Sequence, residues 1–170
     1  VSDYVYITCD GVGEGETMSV YTIDSNFRIK KVWANFYPDS IGLFYSTITE
    51  FLGFEINEGE FKVMSLSSFG KPIYEKELKE IFDINNFKIN MDYFEFHKNP
   101  SKSFSKKLYD LFGEPYLDIS EEKNFNKYAD IACSAQLILE YTMKNLIKKA
   151  SDLSGKRKIV LTGGVALNCK

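Results

Sequence analysis

The stretch VYITCDGVGEGETMSVYTI, residues Val5–Ile23, places a glycine-rich turn between two segments with strand character. Tyr4–Cys9 and Thr17–Ile23 alternate in polarity and are rich in β-branched and aromatic side chains, which predicts two strands. A third strand is predicted over Arg28–Asn35, after a turn at Asp24-Ser25-Asn26. Because the connections between these strands are short, we expect an antiparallel meander.

A second glycine motif, VLTGGVALNC over Val160–Cys169, lies near the other end of the sequence. The short apolar run Lys158–Thr162 is typical of a buried parallel strand. Gly163 and Gly164 end this strand, and a helix is predicted to start at Val165. In α/β folds, small molecules bind at the carboxyl edge of such strands. The motif is neither a Walker A loop nor a complete GxGxxG, so neither of those sites is predicted.

Helical patterns fill most of the chain between the two motifs. A helix capped by Asp39 or Ser40 is predicted through Phe51, and the longest pattern runs from about Asn126 to Leu153. The remaining predictions are a helical turn near Lys62–Leu66, short helices over Tyr74–Phe82 and Ser103–Phe112, and a peripheral strand or hairpin over Phe87–Phe96. The sequence therefore predicts an α/β fold in a single domain over residues 1–170.

Composition restricts the class of protein. The chain has 170 residues, 44% of them hydrophobic and 26% charged, as in a soluble globular domain. Its net charge of −3 gives no basic surface for nucleic acid, and no apolar run is long enough to cross a membrane. Three widely separated cysteines indicate reduced thiols and a cytoplasmic location. His97 is the only histidine, so these residues alone predict no metal site.

Two interpretations of each glycine motif are open on the residues alone. Asp-Gly between strands is most often an ordinary hairpin turn, yet Gly11, Gly13 and Gly15 exceed what a tight turn needs. Successive N–H groups of such a loop can bind an anion, and Asp10 could hold a metal ion or a metal-bound water. The Gly-Gly turn either allows close strand–helix packing or leaves backbone free to contact a base or a ribose.

The order of these elements resembles a known lobe. An acidic, glycine-rich hairpin in a βββ unit, followed much later by strand–Gly-Gly–helix, is similar to the second lobe of the actin, sugar-kinase and heat-shock-protein ATPase superfamily. The resemblance implies that the hairpin contacts phosphates and that the Gly-Gly turn contacts adenosine.

Five motifs in order resemble one family of this superfamily. They are DGVGE at Asp10–Glu14, SIGLFYSTITEFLGF at Ser40–Phe54, GEFKVMSLSSFGKP at Gly59–Pro72, DIACSAQ at Asp130–Gln136 and GGVALNC at Gly163–Cys169. The family is that of the carbamoyltransferases, which includes nodulation carbamoyltransferases and enzymes that carbamoylate cephalosporins and aminoglycosides. The resemblance covers nearly the whole chain and is least distinctive over Asp83–Asn124.

The resemblance implies an O-carbamoyltransferase. Its N-terminal domain would bind carbamoyl-adenylate, made from ATP and carbamoyl phosphate in a separate C-terminal domain, and would transfer the carbamoyl group to an acceptor hydroxyl. The cofactor-binding residues that match the family are Asp10, Gly11, Gly13 and Glu14 in the hairpin and Gly163, Gly164, Val165, Ala166 and Asn168 in the turn. Lys62 in GEFK is the catalytic candidate, since its ammonium group could offset the negative charge of phosphate or carbamoyl oxygens. The alternative is that Lys62 is a solvated loop lysine.

The departures from the family concern its first lobe. The phosphate loop of that lobe, its two iron-binding histidines and the aspartate that completes the iron site do not occur in this sequence. We therefore expect an incomplete lobe of a longer protein, inactive alone, with iron bound by residues outside it. The expected acceptor is the hydroxyl group of a small molecule or a sugar. Assembly of the protein into a homodimer is compatible with this expectation. A phosphotransferase of the sugar or acetate kinase type and a non-catalytic interaction module are the alternatives.

Overall fold

The computed structural model describes residues 3–99 and 101–170; Val1, Ser2 and Pro100, which the predicted domain includes, lie outside the described residues. The strands are β1 (Tyr4–Cys9), β2 (Glu16–Ile23), β3 (Ile29–Phe36), β4 (Phe82–Asp83), β5 (Lys88–Ile89) and β6 (Lys158–Thr162). The α-helices are α1 (Ile41–Phe51), α2 (Glu60–Leu66), α3 (Glu75–Ile81), α4 (Lys106–Phe112) and α5 (Glu122–Ser154), with short 3-10 turns at Met91–Tyr93 and Gly164–Leu167.

A four-stranded sheet in the order β3-β2-β1-β6 forms the centre of the fold. β1 pairs antiparallel with β2, and β2 pairs antiparallel with β3, which confirms the predicted meander. β6 lies parallel to β1, with Tyr4 opposite Lys158 and Thr8 opposite Thr162. Since parallel strands in register end at the same edge, the residues that follow β1 and β6 lie side by side.

The hydrophobic core lies between one face of this sheet and the helices. In β1 every second residue is buried, namely Val5, Ile7 and Cys9, which matches the alternation predicted from the sequence. Helix α5 packs against β1, and α1 packs against α5. The predicted helical stripe of α5 is buried as expected, at Ile131, Ala135, Ile138, Thr142 and Leu146.

The burial predicted for β6 is wrong. Lys158–Thr162 is a parallel strand, but most of its residues are exposed, and Val160 and Leu161 keep 37% and 38% of their surface accessible. The reason is its place in the sheet: β6 is the edge strand, and within the described residues it pairs only with β1.

Two further expectations need correction. The helix predicted from Val165 is a single 3-10 turn, Gly164–Leu167. The Phe87–Phe96 segment contains β5, which forms a two-residue ladder with β4, but the segment is not peripheral, because Phe87 and Phe94 are buried. The Phe87 ring packs on Trp33 of β3, with the ring centroids 5.4 Å apart, and the sequence pattern does not reveal this contact.

The loop that follows α2 lies directly on the backbone of α5. The N–H of Lys71 donates to the Asp130 carboxylate at 2.7 Å. A Cβ added at Gly70 would overlap the backbone carbonyl of Ala129. The two backbones can approach this closely only because residue 70 lacks a side chain.

Gly70→Ala therefore should destabilise the fold. The added methyl group meets backbone that cannot move aside, so we expect the free energy of unfolding of the full-length protein to fall by about 1–3 kcal/mol. Denaturant unfolding measures this change. Gly11→Ala is the matched control, since its Cβ would meet no atom within 4 Å. Equal stability of the two variants would contradict the close approach.

Candidate functional site

A cavity of about 560 Å³ opens where β1 and β6 end. This volume lies within the range of about 300–1,000 Å³ that is usual for small-molecule sites. Four parts of the chain form its wall, namely the hairpin after β1, the helices α1 and α2 with the loop before α2, Leu139 of α5, and the turn after β6. The lining residues used below are Asp10, Gly11, Val12, Gly42, Leu43, Tyr45, Ser46, Asn57, Glu58, Glu60, Phe61, Met64, Gly164, Val165, Leu167 and Asn168.

The structure brings the two glycine motifs together at this cavity. Of the residues that the sequence predicted to bind a cofactor, Asp10, Gly11, Gly164, Val165 and Asn168 line it. The others, Gly13, Glu14, Gly163 and Ala166, belong to the same two loops but do not form its wall.

Contact between the motifs depends on the missing side chains of the Gly-Gly pair. Gly163 has φ +101°, in the left-handed region, and a Cβ there would overlap the carbonyl of Cys9. A Cβ at Gly164 would lie 3.0 Å from the Asp10 carboxylate oxygen. The turn after β6 therefore lies against the end of β1 and the side chain of Asp10.

Ser40 joins the hairpin to α1. Its buried hydroxyl donates to the Gly11 carbonyl at 2.6 Å and lies 3.2 Å from the Asp10 carbonyl. The same hydroxyl accepts from the N–H of Leu43 at 3.0 Å, so Ser40 is the N-cap out of the two predicted candidates, Asp39 and Ser40. Gly42 allows this contact, because a Cβ on it would lie 2.8 Å from the Asp10 carbonyl oxygen.

The hairpin is wider than an ordinary two-residue turn. The N–H of Asp10 donates to the Thr17 carbonyl at 2.9 Å, and the N–H of Gly15 donates to the Val12 carbonyl at 3.0 Å. Gly13 and Gly15 have φ of +53° and +94°, which favours glycine at both positions. Asp10 accepts from the N–H of Gly11 at 2.8 Å, so its carboxylate is oriented by the loop itself.

Carboxylates dominate the charge of the cavity wall. Asp10, Glu58 and Glu60 line it, whereas none of the lining residues in the described part of the chain is a lysine or an arginine. Glu60 accepts from the Ser46 hydroxyl at 2.7 Å and from the N–H of Asn57 at 3.0 Å. Its carboxylate therefore holds the loop before α2 against α1.

Lys62 lies outside the cavity wall. It is exposed on α2, with its Nζ 5.7 Å from the centre of the Phe54 ring and 5.9 Å from that of Phe61. The predicted catalytic role of Lys62 stays a prediction.

Two titratable groups near the cavity are held in their neutral forms. Burial, with a smaller contribution from the charge of Asp10, raises the pKa of the Cys9 thiol to about 12. Burial also raises the pKa of Tyr45, and the charges of Glu60 and Glu140 act in the same direction. Cys9 is therefore protonated at neutral pH, which makes it a poor nucleophile.

Sequence reasoning missed the contribution of α1 and α2 to the wall. Tyr45, Ser46 and Glu60 lie within motifs that resemble the family, but the sequence pattern indicates no role for them. The sequence does contain one signal for this contribution, namely polar residues within the otherwise apolar stretches that form α1 and α2. Only the packing of α2 against α1 turns these side chains toward the hairpin.

Residues 3–99 and 101–170 contain no group of three or more His, Cys, Asp or Glu side chains arranged to hold a metal ion. No helix in the same residues is both long enough and apolar enough to span a bilayer.

Comparison with known proteins identifies the family. The model of the family described as "Carbamoyltransferase N-terminus" matches residues 2–170. An uncharacterized protein of Synechocystis sp. is 35% identical over 98% of this chain, and one of Methanocaldococcus jannaschii is 32% identical over 96% of it. The nodulation protein NolNO of Sinorhizobium fredii is 26% identical over 96% of the chain. The alignments cover 28%, 30% and 22% of these relatives, so the chain spans less than a third of their length.

Ser40→Ala should weaken the attachment of the hairpin to α1. The variant loses the helix cap and the hydrogen bond to Gly11, so we expect the free energy of unfolding of the full-length protein to fall by about 1–2 kcal/mol. Denaturant unfolding measures the change. The control is Ser65→Ala in α2, because Ser65 is exposed and its hydroxyl donates only to the Phe61 carbonyl of its own helix. A Ser40→Ala variant as stable as Ser65→Ala would show that the cap does not hold the hairpin.

Proposed function

The chain belongs to the carbamoyltransferase N-terminal family, and from this we propose that it forms part of a site that binds carbamoyl-adenylate and transfers the carbamoyl group to an acceptor hydroxyl. The observation that carries the proposal is the meeting of the two glycine motifs at one cavity. Neither motif alone distinguishes a ligand site from ordinary turn geometry. Their contact at the carboxyl edge of parallel strands favours a ligand site, because α/β folds bind small molecules there.

We infer that the chain is a lobe of the actin, sugar-kinase and heat-shock-protein ATPase type. The βββ meander with a parallel fourth strand beside β1 supports this. In this proposal the chain is an incomplete lobe of an N-terminal transfer domain. The first lobe and the adenylate-forming C-terminal domain would lie elsewhere in the full-length protein.

The cavity offers both backbone and apolar side chains to a nucleotide. Gly164 and Val165 offer backbone to the adenosine portion, and Leu43, Phe61 and Met64 supply apolar surface for a base. The hairpin faces the phosphate portion. Among the hairpin residues that line the cavity, Val12 has an N–H that donates to no protein acceptor in the part of the chain that the structure describes, which leaves this group available to an anion.

The chemistry requires attack of an acceptor hydroxyl oxygen on the carbamoyl carbonyl carbon. The bond from that carbon to the adenylate phosphate oxygen breaks, AMP leaves with the bonding electron pair, and the hydroxyl proton passes to solvent or to a base. AMP is already a good leaving group, so this lobe contributes positioning and charge stabilisation rather than a covalent intermediate. The protonated state of Cys9 agrees with that role.

Asp10 is the side chain that we assign to the phosphate end of the site. Its carboxylate is exposed, lies against Gly164 and is oriented by the N–H of Gly11. It can hold a water molecule or the metal ion of a nucleotide–metal complex. Because the cavity wall is rich in carboxylates, a metal ion that accompanies the phosphate would reduce their repulsion.

The proposed substrates are ATP, carbamoyl phosphate and a small-molecule or sugar acceptor. The iron implied by the family resemblance would be held by residues outside this chain, since the described residues form no such cluster. A cytoplasmic location and a homodimer belong to the same proposal.

A direct test uses the full-length protein loaded with iron and supplied with ATP, carbamoyl phosphate and a panel of hydroxylated acceptors. We expect the products to be AMP, pyrophosphate and an acceptor that is heavier by one carbamoyl group. Chromatography detects the nucleotide products, and mass spectrometry detects the change in the acceptor. ADP with a phosphorylated acceptor would identify a phosphotransferase of the sugar or acetate kinase type. Nucleotide binding without any turnover would favour a non-catalytic module.

Asp10→Asn should impair transfer and leave the fold intact. The substitution keeps the shape of the side chain and removes the charge that would hold a water or metal ion, so we expect transfer to fall by about 10–100-fold. Asp110→Asn is the control, because Asp110 is exposed on α4, away from the cavity. Equal transfer rates in the two variants, measured at matched thermal stability, would remove Asp10 from the site.

A further inference from the structure

We propose that Gln136 is a positioning residue that fixes the turn after β6 in its nucleotide-binding shape by pairing with Asn168. The inference rests on the proposed function and deepens it. The DIACSAQ motif, which ends at Gln136, has no part in the chemistry proposed above. Gln136 does not line the cavity, so it would act on a ligand through another residue.

The side-chain amides of Gln136 and Asn168 face each other. Nε2 of Gln136 donates to Oδ1 of Asn168 at 3.0 Å, and Nδ2 of Asn168 donates back to Oε1 of Gln136 at 2.9 Å. Two reciprocal hydrogen bonds fix both the distance and the relative orientation of the two planar groups. This pair joins α5 to the residue that follows the 3-10 turn.

Gln136 has no unused hydrogen-bonding capacity. Oε1 also accepts from the Tyr45 hydroxyl at 3.0 Å, and Nε2 also donates to the Glu140 carboxylate at 3.2 Å. Because a carboxylate only accepts, Glu140 determines which side of the amide carries the nitrogen. The side chain is 3% exposed, and a buried polar network in which every group is satisfied favours one arrangement over alternatives.

Most hydrogen-bonding groups of the Asn168 side-chain amide are used within this network. Its Oδ1 accepts from Gln136 and, at 3.3 Å, from the N–H of Lys170. Its Nδ2 donates to Gln136. One N–H of the amide is left for a ligand, so the main contribution that we assign to Asn168 is to hold the turn.

The turn over Gly164–Leu167 is a single short 3-10 turn, and residues 168–170 that follow it are not helical. Its backbone hydrogen bonds run from the N–H of Ala166 to the Gly163 carbonyl and from the N–H of Asn168 to the Val165 carbonyl. Leu167 is 82% exposed, so core packing does not hold this end. Gly163 attaches the start of the turn to the end of β1, and the amide pair attaches its end to α5 and, through Tyr45, to α1.

Gln136→Leu removes all four hydrogen bonds while keeping a side chain of similar size. We expect the dissociation constant for AMP, measured by calorimetry on the full-length protein, to rise about 10-fold, the size of effect usual when a supporting residue of a site is lost. Thr142→Val is the matched control on the same helix. Thr142 is also fully buried, but its hydroxyl bonds only to the Ile138 carbonyl. AMP affinity in this control should stay within about 2-fold of the unchanged protein.

Gln136→Glu supplies a readout that a purely structural role would not give. An ionised carboxylate at residue 136 cannot donate to Asn168, whereas the protonated acid can. Glu140 on α5 and Glu60 on α2 would raise the pKa of the new carboxyl, while the Tyr45 hydroxyl on α1 and the Asn168 amide of the turn would donate to it. The deficit in AMP affinity relative to the unchanged protein should shrink between about pH 8 and about pH 5. Gln136→Leu should show no such recovery.

The outcomes separate this inference from the proposed function. If the unchanged protein does not bind AMP, the proposed nucleotide site fails and this inference fails with it. If the unchanged protein binds AMP and both Gln136 variants bind it equally well, only the role of Gln136 is overturned. Should Gln136→Leu not fold, the pH profile of Gln136→Glu decides alone, and a constant deficit across that range would contradict the pairing.

Discussion

Parallel pairing of β1 with β6 is the constraint on which the candidate site depends. The two strands come from opposite ends of the sequence, yet Thr8 lies opposite Thr162, so both strands end at one level. An antiparallel pairing would send the two glycine motifs to opposite edges of the sheet. The crossover from the meander to β6 uses the helices, and α5 returns the chain so that β6 can align with β1. Every contact between Asp10 and the Gly-Gly turn follows from this alignment.

Helix α5 is the second requirement, because its polar residues attach two separate segments to the core. Asp130 and Ser134 accept from the N–H groups of Lys71 and Tyr74, and Gln136 pairs with Asn168. Asp130 and Ser134 are one helical turn apart, and Gln136 bonds to Tyr45 and Asn168, which both line the cavity. The segment Asp130–Gln136 therefore links the fold to the site without contributing a reactive group.

Local sequence patterns predicted those features of the fold that depend on interactions between neighbouring residues. The meander and a helix cap at Asp39 or Ser40 depend on neighbouring residues, and the structure has both, with Ser40 as the cap. The exposure of β6 could not be predicted, because an apolar run looks the same in an edge strand and in a central strand. The helix expected from Val165 failed for a related reason, since the extent of a helix depends on what packs against it. The meeting of the two glycine motifs was predictable from their order. The contribution of α2 to the cavity wall was not predictable, because the loop that positions α2 has no periodic pattern.

The exposed edge of β6 has a consequence for how this chain behaves in solution. Within the described residues, one side of the strand has no backbone partner, and Val160 and Leu161 present apolar surface there. Such an edge is a template for strand addition, and natural proteins usually blunt it with charge, proline or a covering element. Lys158 at its start is the charged residue within this strand. Left uncovered, the edge would favour self-association over a monodisperse preparation, so the colloidal behaviour of this polypeptide depends on what lies against β6.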